Sequence, residues 1–141
     1  MATVVPDASV VVKWVLDEPG SATALALAEA WAESGVRAVV PTLLWSEVAN
    51  VLHRRVLSGE IDADGAADAI RALQEAGLET RSEYPLIPRA LSIARSLALP
   101  SVYDAVYLAV SEAEAAEFWT FDGRLHRAAA PAMAWVRLAS G

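Results

Sequence analysis

Short β-branched or aromatic runs alternate along this chain with longer stretches of helical periodicity. Thr3–Pro6 is an unbroken run of strand length, and residues 9–16 carry a helical pattern that stops at the turn cluster Asp17-Glu18-Pro19-Gly20. Ser21 is placed to cap an Ala-rich helix that runs to about residue 34 and ends at Gly35. Residues 38–40 form a second short strand before Pro41, and Thr42 is placed to cap a helix over Leu43–Leu57, with Ser58-Gly59 as its stop. A second amphipathic helix is expected over residues 62–76, making an αα-hairpin with the first, and residues 78–81 read as a brief strand. Helices follow over 88–97 and 102–114, broken at Pro100-Ser101; then come a strand at 118–121, a helix at 124–130 and a last strand at 134–138. Strands alternating with helices predict an α/β sandwich around a mostly parallel sheet. No repeat, linker or low-complexity tract interrupts the pattern, so a single domain is expected over residues 1–141.

Composition narrows the class. At 55% hydrophobic and 21% charged, 141 residues suit a globular domain with a sizeable core. No apolar run reaches the roughly 18 residues of a membrane span, and the first residues lack the basic stretch of a secretory signal. Zero Cys excludes a disulfide framework or a thiolate metal site, and a soluble cytoplasmic protein is the expectation. Net charge is −7, and Lys13 is the only Lys. That balance opposes broad electrostatic binding to nucleic acid but leaves room for a local site where a cation offsets acids and a few Arg hold phosphates.

Four carboxylates change the picture, because they stand inside or beside apolar segments. Asp7 follows Val4-Val5-Pro6, Glu47 lies in Leu43-Leu44-Trp45-Ser46-Glu47-Val48-Ala49, Asp104 is the only charge between Arg95 and Glu112, and Asp122 closes Phe118-Trp119-Thr120-Phe121. An isolated buried carboxylate costs several kcal/mol unless it protonates or meets a cation. Each has an ordinary role open to it. Asp7 could cap the following helix, although Ser9 could do so as well. Glu47, with Asn50 and Arg54, could form the solvated flank of a helix whose apolar arc is Leu44, Val48, Val51 and Leu52; Arg55 falls inside that arc and has to snorkel. Ser101-Val102-Tyr103-Asp104 has the form of a capping box, and Asp122-Gly123 is a turn dipeptide. One shared site accounts for all four with a single cause. Asp7 and Asp122 each follow a predicted strand, where ligands of open α/β sheets bind. Oxygen-only donors, with no Cys and no ligand-spaced His pair, point to Mg²⁺ or Mn²⁺ rather than zinc. Thr120 shares the strand face of Asp122 and is placed to support such a site.

With these residues in view, the chain resembles the PIN-domain ribonucleases, and in particular the VapC-type toxins of toxin–antitoxin pairs. The resemblance is carried by Val5-Pro6-Asp7-Ala8-Ser9, Ser46-Glu47-Val48-Ala49-Asn50-Val51-Leu52, Tyr103-Asp104-Ala105-Val106-Tyr107-Leu108-Ala109 and Thr120-Phe121-Asp122-Gly123-Arg124-Leu125, in the family's order and spacing. It implies a three-layer α/β/α fold and a Mg²⁺ or Mn²⁺ site formed by Asp7, Glu47, Asp104 and Asp122, supported by Ser9, Asn50 and Thr120. It also implies cleavage of RNA to 5′-phosphate and 3′-hydroxyl ends, a homodimer, and a small antitoxin that blocks the site. Lys13, Arg54, Arg124 and Arg127 are the candidates for holding the RNA backbone. Phe121 is bulkier than the residue many relatives carry there, and the chain is acidic for an RNA-binding protein.

Three other readings compete. A metal-independent ribonuclease would need His53 and His126 as acid and base, yet they fall on unrelated segments. A phosphoacceptor receiver domain would carry a Lys late in the chain, and the sole Lys is Lys13. A non-catalytic PIN-like binding module would have no reason to keep all four acids.

Overall fold

The structure, a computed structural model, describes residues 2–140. Its strands are β1 (Thr3–Pro6), β2 (Arg37–Pro41), β3 (Glu79–Arg81), β4 (Glu117–Thr120) and β5 (Val136–Leu138). All pair in parallel, in the spatial order β3-β2-β1-β4-β5. The helices are α1 (Ala8–Val11), continued by a 3₁₀ turn at Val12–Trp14, α2 (Ser21–Glu33), α3 (Leu43–Leu57), α4 (Ala63–Gln74), α5 (Ile87–Ser96), α6 (Val102–Ala113) and α7 (Gly123–Ala129). The right-handed rule for parallel crossovers, applied to this strand order, assigns α1–α4 to one face and α5–α7 to the other, as an α/β/α sandwich requires. Each predicted strand and helix is present, with ends displaced by a few residues.

The sheet is apolar on both sides, as covered parallel sheets are. Val5, Val40 and Phe118 have no exposed surface, and Val4, Val39 and Val136 are buried beside them. The helices press Val11, Leu44, Val48, Leu73, Ile93 and the run from Ala105 to Val110 onto them in one continuous core. The two outermost strands, β3 and β5, are three residues each.

The chain leaves β1 in one direction to build β2 and β3, then returns to build β4 and β5 on the other side of β1. Strand order therefore reverses between β1 and β4, and a crevice opens at their carboxyl ends. The register Val4↔Glu117, Val5↔Phe118 and Pro6↔Trp119 brings the two strands to that edge together, and the Asp7 amide continues the ladder with a 3.1 Å bond to the Trp119 carbonyl.

Two of the expected caps differ. Gly20, not Ser21, is the cap of α2, with φ of 92°, and the buried Ser21 hydroxyl donates to the Leu16 carbonyl and accepts from the Glu18 amide. Thr42 makes no capping bond; the Glu83 carboxylate, distant in sequence, accepts from the Leu43 amide at 2.9 Å and from the Thr42 hydroxyl. At Ser21 a neighbouring turn takes the hydroxyl, and at Thr42 a contact distant in sequence replaces the local cap.

Candidate functional site

Asp7 is the most constrained acid of the chain. It caps α1, its Oδ1 accepting from the amides of Ser9 at 3.0 Å and Val10 at 3.3 Å and from the Ser9 hydroxyl. Oδ2 accepts from the Thr120 hydroxyl at 2.6 Å. Capping thus falls to Asp7 itself, and Ser9 braces it instead of replacing it. The Ser9 oxygen also accepts from the Phe121 amide, and Thr120 Oγ1 accepts from the Asp122 amide, so one network joins the ends of β1 and β4. Asp7 is 7% exposed, and burial outweighs the bonds to Ser9, Thr120 and Val10, pushing its carboxyl up to about 6, with a further contribution from the charge of Asp104.

Asp104 is the electrostatic hub. Its capping box does not form: Ser101 makes no side-chain capping bond, and Asp104 accepts no hydrogen bond among the described residues. Half-buried on the first turn of α6, it has its carboxyl raised by desolvation and by the charge of Asp122. Its own charge in turn contributes to raising Asp7 and Glu47. Asp104 and Asp122 share the wall of a cavity of about 210 Å³ with Pro100, Arg124 and Leu125.

Glu47 projects from α3, half-buried, and is raised by desolvation despite a 2.6 Å hydrogen bond from the Tyr107 hydroxyl. Asp122 is exposed at the end of its apolar segment and caps α7 through the amides of Arg124 and Leu125, so its turn role is real. None of the ion pairs among the described residues involves any of the four acids. The same residues contain no group of three acids or histidines drawn tightly enough to hold an ion as they stand.

The remaining candidates are distributed around this edge. Asn50 is exposed, one turn beyond Glu47 on α3, without a bond to the other site residues. Lys13 is paired with Glu18 at 2.9 Å and lies 4.9 Å from the Phe121 ring centre, and Arg55, which snorkels as expected, joins the same Glu18 and Glu60. Arg54, Arg124 and Arg127 are exposed and outside the ion pairs of the described residues. His53 is exposed on α3 and His126 half-buried on α7.

Sequence reasoning passed over Tyr107 as a functional group. The signal was there: a tyrosine inside an otherwise apolar helical run needs a partner for its hydroxyl.

Comparison with known proteins agrees with this architecture. The profile of the family described as PIN domain matches residues 4–131. No curated protein matches the sequence. Among solved structures, PAE2754 from Pyrobaculum aerophilum is similar with a TM-score of 0.69 at 20% identity, over 99% of this chain and 83% of that one. VapC20 of Mycobacterium tuberculosis, described as a sarcin-ricin loop cleaving toxin, is similar with a TM-score of 0.67 at 18% identity, over 89% and 95%. At these identities the structures speak for the fold, and the family profile speaks for membership. No helix among the described residues is long and apolar enough to cross a membrane. The chain belongs to the PIN domain family.

Proposed function

We propose that this protein is a Mg²⁺- or Mn²⁺-dependent endoribonuclease, the toxin of a VapBC-type toxin–antitoxin pair, acting in the cytoplasm as a homodimer of single-domain subunits. One observation carries the reading: Asp7, buried at the switch point of the sheet with its carboxyl raised to about 6, has no cationic partner while Asp104, Glu47 and Asp122 surround the same edge. The donor set fits a hard dication, being oxygen throughout, with Asp104 free of hydrogen bonds. Asp7, Glu47, Asp104 and Asp122 would hold it.

When bound, such an ion supplies Lewis acidity at the phosphodiester and makes water acidic enough to attack near neutral pH. The protein's own residues do the rest. Ser9 and Thr120 fix both oxygens of Asp7, so its position costs nothing further when charge arrives. Asp104 and Asp122 line one cavity together with Arg124, which sets acid and guanidinium side by side at the edge where RNA would lie. Arg124 and Arg127 on α7, with Arg54 on α3, offer guanidinium forks to backbone phosphates. Lys13, held by Glu18, serves the site less directly.

The open spacing of the acids and the exposure of Asp122 favour a second reading, a PIN-like module that binds without cutting. Incubation of the purified protein with a structured RNA separates the two. Cleavage that needs Mg²⁺ or Mn²⁺, stops with EDTA and disappears in Asp104→Asn supports the nuclease; an intact RNA pool with retained Mn²⁺ binding supports the module. Inducible expression with and without the neighbouring small open reading frame tests the toxin role, with growth arrest relieved by the neighbour as the expected result.

A further inference from the structure

α6 buries every residue from Ala105 to Ser111, and within that stretch the Tyr107 hydroxyl emerges from the core to donate to Glu47 Oε1 at 2.6 Å. The tyrosine is 1% exposed, and its ring packs on Phe118 with centroids 6.1 Å apart, so the direction of the hydroxyl is set by the core. Glu47 makes no other side-chain hydrogen bond among the described residues. The bond also spans two carriers of the site, since Glu47 rides on α3 and Asp104 lies one turn ahead of Tyr107 on α6. A half-buried glutamate with three rotatable bonds would otherwise sample several rotamers and pay entropy to settle.

We propose that Tyr107 is a positioning residue, whose hydroxyl fixes one oxygen of Glu47 and leaves the other for a divalent cation shared with Asp104. This rests on the functional reading above, in which Glu47 is a ligand. Outer-shell partners of this kind orient ligating carboxylates, and their loss weakens metal affinity about 10–100-fold.

The test is Mn²⁺ affinity of the RNA-free protein, measured by electron paramagnetic resonance for the parent, Tyr107→Phe, Glu47→Gln and the double variant. Tyr107→Phe keeps the ring and its packing on Phe118, and near-ultraviolet circular dichroism checks that the fold is retained. The expected result is a Kd weakened at least about 10-fold by Tyr107→Phe, and by less than about twofold when the change is made on Glu47→Gln, because both act through one carboxylate. RNA cleavage should lose kcat with KM unchanged, and Tyr103→Phe, exposed on the same helix, should match the parent. Parental Mn²⁺ affinity in Tyr107→Phe alongside a loss in Glu47→Gln overturns the positioning role alone. Parental affinity in Glu47→Gln overturns both that role and Glu47 as a ligand.

Discussion

Thr120 and Asp7, 113 residues apart in sequence, are joined by a 2.6 Å hydrogen bond from the threonine hydroxyl to the carboxylate. Because β1 and β4 are neighbours in parallel register, the last residue of β4 faces the acid that follows β1. Thr120→Val should remove the donor and leave Oδ2 of a buried carboxylate unsatisfied. A loss of about 1–3 kcal/mol in urea unfolding is expected, and Thr120→Ser should recover most of it. Equal stability of Thr120→Val and the parent would mean that the bond contributes nothing.

Asp7 makes the metal-free protein sensitive to pH in an unusual direction. Its folded carboxyl is raised to about 6 from an ordinary 3.8, so between those values the folded state holds more protons than the unfolded one. Stability from this group is fully present below the ordinary value and declines as pH rises through about 6, by up to about 3 kcal/mol. Asp7→Asn should flatten that decline in urea titrations at pH 4–7 and abolish RNA cleavage. A parent whose stability rises across the window would contradict the burial argument.

Neutralising the acids with a dication should reverse that cost. Mn²⁺ at about 100 times its Kd is expected to raise stability by about 2.7 kcal/mol, read as a concentration-dependent increase in Tm that EDTA removes. Asp104→Asn should blunt the response, since Asp104 contributes to raising two of its neighbours. An unchanged Tm at saturating Mn²⁺ would argue against an ion at this edge.

Gly20 is a remote handle on the same edge. Its φ is 92°, and a Cβ there would come within 2.9 Å of the Phe121 ring and 3.3 Å of Lys13. Gly20→Ala should therefore cost about 1–3 kcal/mol and, by shifting Phe121 beside Asp122, lower kcat for RNA cleavage. Parental thermal stability in this variant would show that the loop simply moves aside.

The strands and the helices were legible in the sequence because they follow from local periodicity, and the rule that parallel sheets bind at their carboxyl edge pointed to the ends of β1 and β4, where Thr120 was placed to support a site; that its hydroxyl goes to Asp7 shows only in the structure. What escaped was non-local. Nothing near Thr42 announces that Glu83 supplies its helix with a cap, and nothing in Ser101-Val102-Tyr103-Asp104 says that its box stays open or that Asp104 feels the charge of Asp122. The pairing of Lys13 and Arg55 on Glu18 was equally hidden, since it depends on how the loop after α1 lies across α3.

The shortness of β3 and β5 limits how this molecule can associate. A foreign strand added at either rim would find only three residues of ladder, next to Glu79 tied to Arg37 on one side and Arg137 tied to Glu117 on the other. Main-chain augmentation and edge-to-edge fibre growth are both poorly served by such margins. A lasting complex is therefore better gripped through side chains than through main chain, and its specificity is written residue by residue.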